Sequence, residues 1–426
     1  MEWSPRYGMV SVLVAVVAAA MLASACGTAV DDSDGVVLAP SSDVRRADLD
    51  RSAPFTELAA GFNDAGFDFW RTQPANRNLV FSPVSIAHTL LMARAAADGP
   101  TGSAIDSLFE LPEGWEAHEA WNSIDLMIAS DAEAHDEITL RVADRIWPAI
   151  GVNPSQQWLD LLATHHGATV QALDFPGDPE SSRALINSWV SEQTEGLIPE
   201  LVPEGMVSEM TLVVLTDAIH LRASWAIPFS EELNVSGEFR GLDGTSIETE
   251  YMHKVQVDDR AAVGEGFVAA EIPYAGEAFT MVVIVPDEGE FGDFRDRLDQ
   301  DLIEEVDRLL IRRTYEVFLP KWEVTTNVDL GEWLTDAGIF PGSYPGIDPE
   351  AFISGAVHAA DITVDENGTV AAAATAISID GAAPSEPDLT IRVDRPFYYL
   401  IRHQPTGLIL FAGQNIQPGG PDGERP

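Results

Sequence analysis

The sequence has little cysteine and few basic side chains. Cys26 is the one cysteine in 426 residues, which excludes an internal disulfide framework and a thiolate metal cluster. Basic residues number 24 against 69 acidic residues, and the net charge is −45. A chain this negative repels phosphate backbones and anionic headgroups, which argues against nucleic-acid binding and against membrane binding by charge.

Lysine is rarer still, because Lys254 and Lys321 are the only two and the other basic residues are arginines. Scarce lysine with abundant acidic residues is typical of a salt-adapted or high-GC bacterial source. A composition-biased genome without salt adaptation is the alternative interpretation.

Hydrophobic residues make up 46% of the chain, enough to form a sizeable core and to exclude global disorder. We find no fixed-period repeat and no evident linker between residues 53 and 418. The sequence therefore predicts one compact domain over 53–418, followed by a polar tail at 419–426, in a monomeric protein.

The N-terminus has the features of an export signal. Residues 7–30 carry no charge, and the apolar stretch ends in small residues just before Cys26. We interpret residues 1–25 as a signal peptide and Cys26 as a lipidation site, in a segment that resembles a bacterial lipoprotein signal. A secreted protein with a stray cysteine and an uncleaved membrane anchor are the alternatives.

Residues 26–52 contain many acidic residues, with proline and serine, and no apolar period, which predicts a disordered tether. The expected location is therefore outside the cytoplasm, with the chain exported and held at the membrane only through its lipid.

Helical spacing dominates the first half of the body. Apolar residues recur at helical intervals over residues 56–70, and Ser82-Pro83 is suited to cap a second helix that runs to Gly99. Further helices are predicted over 119–128, 155–165 and 181–194. The second half instead carries short β-branched runs that predict strands, at 211–221, 266–273, 279–286, 315–319, 359–364, 389–393 and 397–402. Helices followed by strands indicate an α+β fold.

The sequence shows no assembled reaction centre. It lacks the Gly-x-Ser-x-Gly and His-Glu-x-x-His motifs, and Cys26 cannot act as a nucleophile once lipidated. His165 and His166 are adjacent, so on a helix they diverge by about 100°, and we interpret them as a solvated helix end. We therefore predict a protein that is not an enzyme and needs no cofactor or metal.

The most unusual segment spans residues 365–386. A glycine precedes a run of small residues, then β-branched residues and a Gly/Ala/Pro/Ser stretch. The alanines favour helix by propensity, but they offer no apolar stripe that a helix could bury. Small side chains suit a loop that later enters a crowded place. A plain flexible surface loop is the alternative.

Several motifs occur in the order found in the serpins, and the resemblance covers roughly residues 54–418. These motifs are Asn-Leu-Val-Phe-Ser-Pro-Val-Ser-Ile at 78–86, Ile-Asn-Ser-Trp-Val at 186–190, Asp-Ala-Ile-His-Leu-Arg-Ala-Ser-Trp at 217–225, Leu-Pro-Lys-Trp at 319–322, Glu-Asn-Gly-Thr-Val-Ala-Ala-Ala-Ala at 366–374, Asp-Arg-Pro-Phe at 394–397 and Leu-Phe-Ala-Gly at 410–413.

The resemblance implies a serpin fold, with helices packed on a large β-sheet A, two further sheets B and C, and an exposed reactive loop. It also implies a suicide-substrate inhibitor whose partner is a serine protease. The protease forms an acyl-enzyme with the loop, and the loop then enters sheet A as a new strand and traps the complex. A non-inhibitory serpin-like binding protein is the alternative.

The resemblance also implies the positions of the hinge and of the reactive bond. The hinge residues match Glu366, Gly368, Thr369, Val370, Ala371, Ala372, Ala373 and Ala374. Counting from the hinge places the reactive bond at Ala382–Ala383, with cleavage after Gly381, Ala383 or Ser385 as alternatives. Alanine at this position suits elastase-like or subtilisin-like proteases, and residues 367–391 contain no Lys or Arg for a trypsin-like one.

The resemblance also assigns residues that hold sheet A closed. Ser82, Ser85, Asp217 and His358 match the shutter, where the family usually has Asn in place of Asp217. An added carboxylate favours a protonated imidazole, so we expect a raised His358 pKa, loop insertion that depends on pH near neutrality, and a flat profile in Asp217→Asn. An isosteric change without effect on titration is the alternative.

Two further residues match the breach, where the loop enters the sheet. Trp225 ends the motif at 217–225, and Lys321 matches the partner of the hinge glutamate, Glu366. A solvated surface lysine is the alternative interpretation of Lys321.

Overall fold

The computed structural model describes residues 35–112, 114–369 and 386–419. In these ranges the chain forms seventeen β-strands. They are β1 Val36–Leu38, β2 Leu79–Phe81, β3 Ile138–Val142, β4 Arg145–Pro148, β5 Val170–Ala172, β6 Val213–Ser224, β7 Val235–Arg240, β8 Ser246–Gly264, β9 Phe267–Pro273, β10 Phe279–Pro286, β11 Ile311–Pro320, β12 Trp322–Asp329, β13 Gly355–Val364, β14 Gly368–Thr369, β15 Leu389–Arg392, β16 Phe397–His403 and β17 Leu408–Asn415.

Most of the helices precede the long strands, which confirms the α+β prediction. The α-helices of the described ranges are α1 Phe55–Thr72, α2 Pro83–Arg94, α3 Gly99–Leu108, α4 Glu116–Glu133, α5 Gln156–Leu161, α6 Pro179–Gln193, α7 Phe291–Asp296, α8 Gln300–Leu309 and α9 Gly331–Asp336. A π-helical turn, Leu162–His166, extends α5, and a short 3-10 turn covers Glu231–Leu233. No helix in the described ranges has the length and apolarity to cross a membrane.

The second helix begins as predicted and ends earlier. The Ser82 side chain accepts a hydrogen bond from the Ser85 N–H, and Pro83 takes the first helical position. The expected continuation to Gly99 is wrong, because α2 ends at Arg94 and α3 begins at Gly99 with a proline in its first turn. Gly99 has a φ of +50°, in the left-handed region, so one right-handed helix cannot run through it.

Two sheets form the body of the described structure. The six-stranded sheet has the order β12-β13-β14-β6-β3, with β4 paired to the other end of β6. The nine-stranded sheet has the order β15-β11-β8-β9-β10-β16-β17-β2, with β7 paired to β8. The largest hydrophobic core joins α1 and α2 to both sheets. A second cluster lies between α6 and the six-stranded sheet, so β6 is covered on both faces and almost wholly buried.

The predicted disordered tether is wrong for residues 35–52, which pack against the body. Strand β1 pairs antiparallel with β5, and the Ala47 N–H donates to the Thr164 carbonyl at 2.8 Å. Arg46 donates to Asn122 at 3.0 Å and forms an ion pair with Asp125. A segment without apolar periodicity is thus held by backbone and polar contacts. Residues 26–34 of the predicted tether lie outside the described residues.

Candidate functional site

The site is a cleft between two parallel strands of the six-stranded sheet. Residues Gly355–Ala360 of β13 pair directly with Val214–Ile219 of β6. Toward the carboxyl ends of these strands the two-residue strand β14 lies between them, pairing with Val364 on one side and with Ala223 and Ser224 on the other. The chain therefore leaves β13, turns back, and enters its own sheet as a short additional strand.

A tight turn directs the chain into this cleft. The Asp365 carboxylate accepts hydrogen bonds from the backbone N–H groups of Asn367 at 2.7 Å and Gly368 at 3.2 Å. Gly368 has a φ of +155°, and a Cβ there would lie 2.0 Å from the Ala223 carbonyl oxygen. Only glycine suits this position, because both the backbone conformation and the close approach of β6 exclude a side chain.

Thr369 is the last described residue of the entering strand, and its side chain is 1% exposed. Its hydroxyl lies 2.6 Å from the Tyr274 hydroxyl. Tyr274 stacks on Trp225 with ring centroids 4.6 Å apart, and the Trp225 indole N–H donates to the Asp365 carbonyl at 2.9 Å. An aromatic pair thus holds the start of the loop from both its backbone and its side chain.

The predicted ion pair at the cleft mouth is present. Lys321 Nζ lies 3.1 Å from Glu366 Oε1, and the Asn234 side-chain amide donates to the same oxygen at 2.6 Å. Burial opposes ionisation of Glu366, but the hydrogen bonds from Asn234 and Lys321 outweigh it and lower the Glu366 pKa. Lys321 is 38% exposed and also contacts Glu250, so solvent weakens this pair.

Nearer the amino ends of β6 and β13, the structure brings together the four predicted shutter residues. Asp217 and His358 are register partners on β6 and β13, and His358 Nδ1 bonds to Asp217 Oδ1. The other ring nitrogen, Nε2, accepts the Ser82 backbone N–H at 3.1 Å. The Ser85 hydroxyl donates to Asp144 Oδ1 at 2.7 Å. The Asp217–His358 bond spans the two strands that must separate if the sheet accepts another strand between them.

The expected raised pKa of His358 is wrong. Burial lowers the His358 pKa to about 3, and the Ser82 N–H already occupies the nitrogen that a second proton would need. Burial also raises the Asp217 pKa well above its usual value. Desolvation therefore outweighs the attraction between carboxylate and imidazole, and this pair does not supply the expected titration of His358 near neutrality.

The expected solvated helix end at His165 and His166 is wrong for His166, which is 5% exposed and bonded to two other histidines. Sequence reasoning also missed His88 and Asp144, which contact each other at 2.8 Å beside the shutter. In the sequence these two residues are marked only by their polar side chains. The structure is what shows that the surrounding helix and strands bury both positions.

Ser85, His88 and Asp144 are the residue types of a hydrolase triad but do not form one. Ser85 and His88 each bond to Asp144, whereas a triad needs the serine bonded to the histidine. Ser85 is also 1% exposed and out of reach of a substrate. These contacts do not build a nucleophile.

Some predicted residues lie outside the described ranges. They are the hinge residues Val370, Ala371, Ala372, Ala373 and Ala374, the reactive-bond residues Ala382 and Ala383, and the lipidation site Cys26. The chain is described again from residue 386 and pairs as β15 with β11 of the nine-stranded sheet. The segment that carries the predicted reactive bond thus begins in one sheet and ends in the other.

Comparisons with known proteins agree with this geometry. A family model described as Serpin (serine protease inhibitor) matches residues 62–418. An uncharacterized serpin-like protein of Thermococcus kodakarensis is 30% identical over 367 residues, which cover 84% of each chain. Leukocyte elastase inhibitor A of Rattus norvegicus is 28% identical over 362 residues, covering 80% of this chain and 93% of the relative.

The crystal structure of the thermophilic serpin tengpin in its native state has a TM-score of 0.75 with this chain. The match covers 88% of this chain and 96% of tengpin at 22% identity, which shows the fold. The predicted fold is therefore confirmed, with the six-stranded sheet as sheet A.

Proposed function

The chain belongs to the serpin family, and from that premise we propose that it is a suicide-substrate inhibitor of serine proteases. Serpins are generally protease inhibitors rather than enzymes. We propose that a protease attacks the loop between residues 370 and 388, and that the loop then inserts between β6 and β13 before the protease can release itself.

The observation that carries this proposal is the pairing of Gly368 and Thr369 between β6 and β13. The loop has already begun to form a central strand, so further insertion extends an existing pairing. Neighbouring strands lie about 4.8 Å apart, so β6 and β13 must move to about 9.6 Å apart along Gly355–Ala360. Each new backbone hydrogen bond contributes about 0.5–1.5 kcal/mol net.

The covalent step is ordinary acyl transfer. The serine Oγ of the protease attacks the carbonyl carbon of Ala382, and the bond to Ala383 breaks as the protease histidine returns the serine proton to the departing amine. The Ala382 carbonyl remains as an ester on the protease. Insertion then carries the esterified protease along the sheet and deforms its active site before water attacks the ester.

We propose proteases with a small apolar primary pocket, elastase-like or subtilisin-like, as the targets. The support is the alanine at 382 and the absence of Lys and Arg from residues 367–391. A relative at 28% identity is named for inhibition of leukocyte elastase. We also propose export through residues 1–25 and anchorage through a lipid on Cys26, since a charge-free apolar stretch ends just before this cysteine.

The test mixes the purified chain with an elastase-like protease and analyses the products on a denaturing gel. We expect an adduct that resists heat and detergent, and a released peptide that begins at Ala383. Complete cleavage without an adduct contradicts inhibition of that protease. If cleavage also leaves the thermal stability unchanged, a non-inhibitory binding protein becomes the better account.

A specificity variant sharpens the test. Ala382→Arg should form an adduct with a trypsin-like protease, because an arginine then occupies the cleavage position. Ala382→Gly, which keeps a small residue there, should form no such adduct. If Ala382→Arg is cleaved by that protease at another position, the assignment of the reactive bond is wrong.

A further inference from the structure

Three buried histidines form a continuous hydrogen-bonded chain behind the six-stranded sheet. His118 Nδ1 on α4 lies 2.9 Å from His166 Nε2 in the π-helical turn. His166 Nδ1 lies 3.1 Å from His88 Nε2 on α2, and His88 Nδ1 lies 2.8 Å from Asp144 Oδ2. We call His118, His166, His88 and Asp144 the histidine relay. The ring nitrogens bond to one another, and no metal-binding group is found in the described part of the chain.

The hydrogen bonds give the relay a direction. Facing an ionised Asp144, His88 Nδ1 carries a proton and donates it to the carboxylate, which leaves His88 Nε2 as an acceptor. His166 Nδ1 then donates to His88, and His118 Nδ1 donates to His166. Burial lowers the pKa of His118 to about 3 and lowers that of His166 as well, so both rings stay neutral at neutral pH.

At its inner end, the relay reaches the shutter through Ser85. The Ser85 hydroxyl donates to Asp144 Oδ1 at 2.7 Å and is also the hydroxyl beside Asp217. Asp217 Oδ2 is buried with no hydrogen-bond partner among the described residues, and the neutral His358 supplies no compensating charge. A proton on Asp217 removes an uncompensated buried charge. Asp144 is then the carboxyl of this pair that can change its charge.

We propose that the histidine relay delivers a proton to Asp144 and thereby makes the opening of the six-stranded sheet between β6 and β13 depend on pH. The claim that the relay regulates loop insertion rests on the proposed inhibitory function. The opening of the sheet itself can be measured without any protease.

The proton transfer balances without any co-reactant. A proton from solvent binds His118 Nε2, and the His118 Nδ1 proton moves to His166 Nε2. The His166 Nδ1 proton moves to His88 Nε2, and the His88 Nδ1 proton moves to Asp144 Oδ2. Afterwards the three rings are again neutral with the opposite tautomer, and Asp144 is uncharged. Every contact of the relay survives with its donor and acceptor exchanged.

Other charged groups face the relay from each neighbouring element. Arg94, Asp106 and His165 face His118, and Arg46 faces His166. The Arg145 guanidinium stacks over the Trp189 ring at 3.9 Å. The groups that face Asp144 itself are Ser85 and His88 on α2 and Asp217 on β6. Neither an arginine nor a lysine is among these groups.

The sign of the effect follows from Asp144. Burial is the main cause that raises its pKa to about 7, and the bonds from His88 and Ser85 oppose it. A carboxyl with a raised pKa stabilises the closed sheet fully below its unfolded pKa of about 4, and this stability is lost as pH rises through about 7. The sheet should therefore open more readily at about pH 8 than at about pH 6.

The test is hydrogen exchange of the full chain, followed by mass spectrometry and corrected for the intrinsic pH dependence of exchange. Protection of peptides from β6 and β13 should fall between about pH 6 and pH 8, by about tenfold if the open sheet fully solvates Asp144. Peptides from β10 serve as the internal reference. Equal protection of β6 and β13 at both pH values overturns the inference.

Asp144→Asn keeps the shape and removes the titration, so its protection should not change over this pH range. The matched control is Asp131→Asn, which removes a carboxylate bonded to another histidine, His403, at 2.9 Å. This control should retain the wild-type profile. If Asp144→Asn retains it too, the inference is wrong.

A measurement on the unaltered chain guards against an Asp144→Asn variant that fails to fold. Nitrogen-15 NMR of the histidine rings should show the His88 proton on Nδ1 above about pH 7 and on Nε2 below it, with His166 changing in parallel. A fixed His88 tautomer overturns the inference. If the opening of the sheet depends on pH but no protease adduct forms, the inference about the relay stands and the proposed inhibition is refuted.

Discussion

Replacement of Thr369 by arginine tests insertion at the last described residue of the entering strand. The Thr369 side chain is 1% exposed and its hydroxyl bonds to Tyr274 at 2.6 Å. An arginine there must place a guanidinium beside the Trp225–Tyr274 pair without a carboxylate partner, or the strand must leave the sheet. The target protease should therefore cleave Thr369→Arg as a substrate and be released in active form, without being trapped.

The size of the effect follows from desolvation. The effective penalty for an unpaired buried ion is several kcal/mol, and a value of about 3–5 kcal/mol corresponds to a factor between about 10² and several times 10³. If most of this penalty is felt during insertion, the ratio of ester hydrolysis to loop insertion rises by that factor. The number of inhibitor molecules consumed per protease should rise from near one to on the order of 100.

The assay titrates a fixed amount of protease with each variant and measures the residual activity. Thr390→Arg is the matched control, because it makes the same substitution at an exposed position on β15, outside the entering strand. The control should consume about as many molecules as the unaltered chain. If Thr369→Arg inhibits with the same stoichiometry as Thr390→Arg, insertion at this position is not required and the reasoning is refuted.

Three further predictions concern the supports of the site. Tyr274→Phe loses the hydroxyl bond to Thr369, worth about 1 kcal/mol, and should raise the rate of hydrogen exchange at the hinge about fivefold; an unchanged rate would contradict the role of this bond. Asn187→Ala leaves the buried Val202 N–H unpaired, and urea unfolding should show a loss of about 2–4 kcal/mol; a loss within error would show that the segment relaxes. Burial lowers the Lys254 pKa to about 7, so the charged form opposes folding increasingly as pH falls from about 10 to 7. Lys254→Met should therefore raise the thermal midpoint more at about pH 6 than at about pH 9, and equal shifts would count against a depressed pKa.

Much of the fold was predictable because local signals agreed with packing. The apolar spacing of residues 56–70 corresponds to α1, and Ser82-Pro83 caps α2 as expected. The β-branched run at 211–221 corresponds to β6, which is covered on both faces. In each case the signal lies within one element, so the local sequence and the burial of that element agree.

Contacts between distant segments could not be predicted in this way. Strand β1 has three residues, too few for a period, and it is specified by the β5 edge that it meets. His166 follows an exposed-looking His165, yet the π-helical turn directs it toward His88 and His118. Polar residues buried by a helix and a sheet give no periodic signal, so only their partners show that they are internal.

The shutter shows where a resemblance predicts position but not chemistry. Asp217 and His358 meet as expected, since their register is part of the fold. The ionisation expected from two opposite charges is wrong because both groups are buried and the second His358 nitrogen already accepts the Ser82 N–H. Electrostatics depends on solvent access, which a sequence match does not contain.

The thermal unfolding of the chain after cleavage within residues 370–385 tests loop insertion most directly. About ten newly inserted residues, each contributing about 1 kcal/mol, should raise the midpoint by about 20 °C or more relative to the uncleaved chain. An unchanged or lower midpoint would show that the cut loop stays outside the sheet, and it would contradict the account of this protein as an inhibitor driven by strand insertion.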